Sequence, residues 1–585
     1  MDSLNWNLDK IYKSFDSDDF KKDIEQLKLL SNNMYLSLKE NSKNITETAE
    51  KYITLSNTFG SLLSRLSEYC LLTLSENSNN STAAKYLDIV NDIESDTAKS
   101  DALFCHIISS LTNIDEIINS SEILKSHRFF IKEIYLKASH SLSEKEETIY
   151  SKMQNTGSTQ WEKLWENITS SLICTVETKN GTDNLPLSET RNLAYSAHAE
   201  TRKNAYFSEL KALESISSQS AFALNAIKGE VINISEIRNY SSPLDMTLVD
   251  SRMDSAVFNS MLSAVKKCVP YFKNYFRKKS ELLGEASLPF YDMFAPVVNN
   301  SKVYTYAEAM DIILEGFYSF SSDLGDFAQN AFENNWIDVL PKKGKTGGAF
   351  CSHIHAIGES RILTNFTGSF SDVVTIAHEL GHGFHGEMLK NETYLNSDYP
   401  MPIAETASTF CECIIKNALL KTAASKEKLL ISENDLSDSA QIIVDILSRF
   451  IFEDTVFKLR KEGSLSSDEL CGIMLSAQKQ TYGDGLSLYH PYMWVCKPHY
   501  YDAQYNYYNF PYAFGLLLAK GLYRMYINDK SDFIPKYRKL LSLTGKASIK
   551  DTALSVGIDL SDEHFWNMSV EEIKSDIEKF MKIGD

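Results

Sequence analysis

Proline and glycine are scarce, 12 and 24 among 585 residues, roughly half the usual usage of each. That scarcity excludes a turn-rich β architecture and predicts a mainly α protein built from long, uninterrupted helices. No apolar run reaches the ~18 residues of a membrane-spanning helix, so no membrane is expected as a partner. The opening MDSLNWNLDKIYKSF has neither a basic start nor an apolar core; it does not read as a secretory signal, and a cytoplasmic location is expected. The nine cysteines are odd in number and widely scattered, which fits reduced thiols better than a disulfide framework. Positive charge is also short: 59 Lys and Arg face 78 Asp and Glu, for a net charge of -19. With no concentrated basic patch, nucleic acid is excluded as a partner, because its phosphates would be repelled.

What is present begins with helical patterning from residue 15 to about 175, where Ile24, Leu27, Leu30 and Met34 recur at helical spacing. Polar punctuation such as NSKN, SENSNNST and NTGST separates the segments. The stretch KNGTDNLPLSET at 179 to 190 combines turn formers with Ser188 as the expected cap of the next helix. This sets the expected division: an N-terminal helical lobe over 1–185 and a second domain over 186–585. The helix expected after Ser188 carries Arg191 in RNLAY and Arg202 in RKNAY, eleven residues or about three turns apart. The pair reads as a repeated packing unit or as substrate-binding arginines. Further helices are predicted over roughly 255 to 284 and 305 to 333. Between 342 and 370, glycines and β-formers predict a small strand-containing patch whose edge could receive an extended peptide.

Two features of that patch do not carry chemistry. Gly344-Lys345-Thr346 resembles the end of a phosphate-binding loop, but position 339 is valine where glycine is required. His353 and His355 share a strand face, yet the nearby acid Glu359 follows Gly358, expected to break the strand. A structural role or a substrate contact suits them better than metal ligation.

Immediately downstream lies TIAHELGHGFH, containing H-E-x-x-H. On a helix, His378 and His382 stack four apart on one face, so two imidazoles reach one ion, while Glu379 is placed to handle the water of a metal site. Val374, Ala377, Leu380, Phe384 and Met388 keep helical register, and Asp372 near the start suits the helix dipole. Gly381, Gly383 and Gly386 each cost about 1 kcal/mol in a helix; close approach of another helix or of a bound peptide would account for them. A catalytic zinc takes a third protein ligand. The metzincin continuation fails, because 385 is His and 388 is Met. Glu405, one turn into a helix opened by Pro402, is the preferred third ligand, with Glu392 as its rival. Glu412, seven residues on, is expected to orient a ligating imidazole. Cys411 and Cys413 read as core thiols. The tyrosine-rich stretch 481 to 515 offers phenolic and imidazole donors of the kind an oxyanion requires, although packing suits most of these rings individually.

HELGHGFH (378 to 385), AETASTFCE (404 to 412), GKTGGAF (344 to 350), LTNFTGSFSDVVT (363 to 375) and YYNFPYAFG (507 to 515) together resemble the thimet-type family of zinc oligopeptidases (family M3), most closely its oligoendopeptidase F branch. WNLDKIY at 6 to 12 and RNLAY at 191 to 195 extend the resemblance to nearly the whole chain. It implies a mainly helical, two-lobed metallopeptidase with a central channel and a small β-sheet near the zinc site. The implied activity is endopeptidase cleavage of short unstructured oligopeptides. It implies one zinc per chain on His378, His382 and Glu405, Glu379 as general base, and His499 with tyrosines of 500 to 512 as donors to substrate and transition state. Phe510 stands at a usual tyrosine, which leaves Tyr501, Tyr505, Tyr507 and Tyr508 open, with Tyr505 and Tyr508 preferred. No oligomeric state follows.

Overall fold

The computed structural model describes residues 4–40, 44–178, 181–298 and 302–583. Asn41 to Lys43 of the NSKN punctuation, and Lys179 and Asn180 of the 179 to 190 stretch, lie outside them. Helices make up 71% of the structure, as the scarcity of helix breakers predicts. The chain divides into two compact units, each assembled from three stretches. The first comprises Met1–Ser139, Lys302–Lys421 and Met525–Ile558; the second comprises His140–Ser301, Thr422–Arg524 and Asp559–Asp585.

In the first unit the helix Asp18–Glu40 buries Ile24, Leu27, Leu30 and Met34 against the helix Ile45–Glu76. These residues join a core that also takes in Ile354 and Leu363. Both belong to a three-stranded sheet. Its central strand Glu359–Leu363 pairs antiparallel with Phe350–Ile354 and parallel with Ile337–Asp338. Gly358, at φ +60°, turns the chain between the first two, a left-handed conformation that glycine adopts without steric cost. The strand-containing patch is therefore present. Within it Lys345 is buried in an ion pair with Asp338 at 2.5 Å and donates to Leu340 O, so the GKT segment is a structural clasp.

In the second unit the 39-residue helix Ala199–Ile237 contains no proline. It buries Leu213, Leu224 and Ile227 in a core shared with Phe452, Trp494 and Tyr501. The helix Ser255–Leu283 starts where expected, capped by Asp254.

Three expectations are corrected. Residues 305 to 333 form two helices, Tyr306–Phe320 and Ser322–Glu333, because Ser321 is extended and its hydroxyl accepts from Leu324 N. Helical periodicity runs through such a break unchanged. Ser188 caps nothing, since its helix already starts at Leu187 behind Pro186. Arg191 and Arg202 do not share a helix: the first ends at Asn192 and the next begins at Ala199.

Candidate metal centre

The helix Phe370–Leu389 opens with a reciprocal cap: Ser369 accepts from Asp372 N, and the Asp372 carboxylate accepts from Ser369 N. That anchor fixes the phase of the helix, and the four-residue spacing brings His378 and His382 together with ring centroids 4.8 Å apart. The helix Met401–Thr422 supplies Glu405 and Glu412, seven apart on one face. Its far side is held by Phe410, which packs against Phe533 and Tyr537.

The two helices meet backbone to backbone at Gly381. A methyl group there would lie 2.6 Å from Ser408 Cα and 2.7 Å from Ala407 O, so only glycine permits the approach. The other two glycines accommodate side chains, Phe327 over Gly383 and His353 over Gly386. Close approach thus accounts for all three, by a second helix at one and by rings at the others.

This contact brings His378, His382 and Glu405 into one cluster, the only such group of three found among the described residues. The two histidine Nε2 atoms are 3.1 Å apart, and Glu405 Oε2 lies 3.4 and 3.5 Å from them. Zinc with bonds of about 2.0–2.1 Å in a tetrahedral arrangement separates its ligand atoms by about 3.3 Å. The triangle has the size zinc needs, and the donor set, two imidazoles and a carboxylate, is one zinc takes.

The surrounding charges favour a cation here. Burial opposes protonation of His378, but hydrogen bonds with Glu405 and Glu412 outweigh it and push the imidazole up to about 10. Burial, with repulsion from His378, pushes His382 down to about 4. One positive charge is thus held at the pair. Glu412 accepts from His378 Nδ1 at 2.6 Å and from Lys416 Nζ at 2.8 Å. Burial works against its ionisation, yet Lys416 and His378 hold its carboxyl down at about 2. Burial, reinforced by Glu405 and Glu412 and opposed by His378, pushes Glu379 up to about 7. A carboxylate that binds a proton near neutral pH suits proton transfer.

Two residues escaped the sequence reading. Ser408 donates to Glu405 Oε2 at 3.0 Å and so orients that carboxylate, and Lys416 pairs with Glu412. Their spacings, i+3 and i+4 from the two glutamates, were the available signal. The rival Glu392 lies outside the cluster, in an ion pair with Lys546 at 2.5 Å. His355 is spent on Ser61 and the carbonyl of Glu392, and His353 packs on Gly386. Cys411 and Cys413 are buried in the core.

His499, Tyr505 and Tyr508 belong to the second unit, where they cluster: the Tyr508 ring centroid is 6.3 Å from that of His499 and 6.4 Å from that of Tyr505. His499 Nε2 has no hydrogen-bond partner among the described residues. Burial, with the charges of Arg449, Lys228 and Lys497, pushes this histidine well below its ordinary pKa, so the imidazole is neutral. Tyr505 is 61% exposed. Tyr501, by contrast, is buried against Trp165, and the buried Tyr507 donates to Asp454.

The family model for peptidase family M3 matches residues 192–572, and that for oligopeptidase F matches 110–173. An oligoendopeptidase F homolog of Lactococcus lactis is 23% identical over all of this chain and 98% of its own length. Oligopeptidase PepF of Bacillus subtilis is 23% identical over 95% of this chain and 83% of its own. Among solved structures, a Chlamydophila abortus protein superposes with a TM-score of 0.89 at 21% identity, covering 99% of this chain and 98% of that one. Oligoendopeptidase F from Enterococcus faecium gives 0.69 at 17% identity, with 97% and 99% covered. With the family model spanning well over half of its length, the chain belongs to peptidase family M3, in the oligoendopeptidase F branch, and is a metallopeptidase.

Proposed function

We propose that the chain is a zinc-dependent endopeptidase that hydrolyses internal peptide bonds of short, unstructured oligopeptides. The observation that carries this reading is the zinc-sized triangle of His378, His382 and Glu405 with the buried Glu379 beside it. Those three side chains would hold a zinc ion, which would supply Lewis acidity toward the scissile carbonyl and a water. The Glu379 carboxylate takes a proton from the attacking water and delivers it to the nitrogen of the leaving amine. Glu412 fixes the ring plane and tautomer of His378 through Nδ1, and Ser408 aims Glu405. His499, Tyr505 and Tyr508 donate hydrogen bonds to the substrate and to its developing oxyanion. The neutral imidazole and the exposed Tyr505 hydroxyl support that assignment.

Glu379→Gln keeps the shape and removes the base. Elemental analysis should find one zinc per chain, while turnover of a graded peptide library, read by mass spectrometry, drops about 10²–10⁴-fold. Near-normal turnover by this variant would remove Glu379 from the mechanism. Products consisting only of single C-terminal residues would make the enzyme a carboxypeptidase instead.

A further inference from the structure

The second unit contains a cavity of its own, of about 260 Å³. Pockets for drug-sized ligands run from about 300 to 1,000 Å³, so its occupant is small. Four cations line it. Two are neutralised in place: Arg202 by Asp292 at 2.6 Å, and Arg449 by Asp445. Arg191 is held more loosely, by Glu209 at 3.5 Å and the Cys496 thiol, and Lys497, which also lines the cavity, makes no ion pair among the described residues. Burial, with repulsion from Arg449 and Arg191, pushes the Lys497 ammonium down to about 8, the behaviour of a cation short of a counter-charge.

Glu209 presents the complementary shortage. It is over nine-tenths buried, it lines the cavity, and its Oε1 makes no hydrogen bond among the described residues; Arg191 and His490 face it, each at 3.5 Å. A buried acceptor left open calls for a partner. One cation without an ion pair, Lys497, and the loosely held Arg191 therefore lie beside a carboxylate with an open oxygen. Because Glu209 and Arg191 are so close, the two ends of a complementary ligand must be adjacent, as on an α-carbon. The termini of a peptide are too far apart. The remaining wall is aromatic, with Tyr206, Phe290 and Phe294, and Tyr195, 61% exposed, connects the cavity to solvent.

We propose that this cavity binds a free α-amino acid with an apolar side chain, its carboxylate on Arg191 and Lys497, its ammonium on Glu209 and its side chain against the aromatic wall. Its residues belong to the second unit and those of the metal centre to the first, and the proposal does not depend on the hydrolytic reading. It would place an end product of peptide breakdown on the enzyme, and it gives RNLAY and RKNAY a common purpose: Arg191 contacts the ligand, and Arg202, tied to Asp292 and to Ser196 O, holds the wall.

The test is calorimetric titration of the full chain with L-phenylalanine. A Kd of about 1 mM or tighter is expected, weakening by at least about tenfold for N-acetyl-phenylalanine, phenylalaninamide and the dipeptide Gly-Phe. Arg191→Gln should weaken binding by a similar factor with zinc content and thermal midpoint unchanged. In the unmodified protein, L-phenylalanine should slow phenylglyoxal labelling of Arg191 by at least about tenfold and leave the other arginines unaffected, a readout that requires no variant to fold. The proposal is overturned if L-phenylalanine does not bind, if capped forms or inorganic phosphate bind equally well, if Arg191→Gln leaves binding intact, or if Arg191 is not protected.

Discussion

Replacing Gly381 with alanine tests how the metal centre is assembled. The added methyl group lies 2.6 Å from Ser408 Cα, 2.7 Å from Ala407 O and 2.9 Å from Ser408 N. Carbon atoms rest at about 3.5–4.0 Å, so the two helices must separate by about 1 Å. All three obstacles are main-chain atoms, and no change of rotamer relieves them. Overpacking costs about 1–3 kcal/mol, while alanine regains about 1 kcal/mol of helix propensity over glycine. The net loss of stability is about 0–2 kcal/mol, which a domain of this size tolerates. Ligation does not tolerate the shift. Metal–ligand distances hold to about 0.2 Å, and the 3.4 and 3.5 Å edges from Glu405 to the histidines lengthen by several times that. Zinc affinity, measured by competition with a fluorescent chelator, should fall about 100-fold or more, and activity with it. Gly383→Ala is the control, because the nearest atoms to its methyl belong to the Phe327 ring and the Ser360 side chain and not to backbone. A folded Gly381→Ala protein that binds zinc within about threefold of the original would show that the helix contact does not set the triangle.

Glu412→Gln should lower zinc affinity about 10–100-fold, because the charge that orients His378 through Nδ1 and balances Lys416 is lost; unchanged affinity would make the pair merely structural. His385 is buried, with Nε2 on Thr544 and its ring stacked on Tyr399. Burial, aided by repulsion from His382 and His353, pushes it down to about 3, against about 6.5 unfolded. Its contribution to stability is therefore complete above pH 6.5 and is lost as pH falls from there toward 3, at about 1.4 kcal/mol per pH unit. Urea unfolding at pH 6.5 and 5.5 should show a smaller drop for His385→Gln than for the unaltered protein by about 1 kcal/mol, because at pH 6.5 the unfolded imidazole is already half protonated, and equal drops would refute the assignment.

The cluster of His378, His382 and Glu405 was legible because it follows local rules: H-E-x-x-H needs only helical spacing, and Glu405 needs only a helix that opens at Pro402 nearby in the chain. The glycines were legible as a problem, since three in one helix demand close neighbours. Which neighbours they have was not legible, because Ser408, Phe327 and His353 reach them through tertiary packing. Lys416 was hidden for the same reason: an i+4 partner of a glutamate reads as an ordinary surface pair until Glu412 is seen to hold His378. The breaks at Ser321 and between Asn192 and Ala199 escaped because apolar periodicity carries across a kink, whereas caps and extended residues do not show in it. Two units each drawn from three separated stretches lie beyond any linear reading, which sees neighbours along the chain only.

That division makes a further expectation specific. His378, Glu379, His382, Glu405 and Glu412 all belong to one unit, while His499, Tyr505 and Tyr508 belong to the other. If the first set holds the metal and the second serves the substrate, substitutions in the two sets must give different phenotypes. Tyr508→Phe removes a hydroxyl whose one hydrogen bond among the described residues is a 3.3 Å contact from Tyr512, so the second unit loses little packing. Zinc content should stay at one per chain, and kcat/KM should fall by about 10²–10³-fold, the usual effect of losing an oxyanion donor. Tyr501→Phe, at a ring buried against Trp165, should leave kcat/KM unchanged. If Tyr508→Phe loses zinc in parallel with activity, the hydroxyl acts through the metal centre and not on the substrate. If both tyrosine variants are fully active, the oxyanion donor must be sought at His499 or Tyr505.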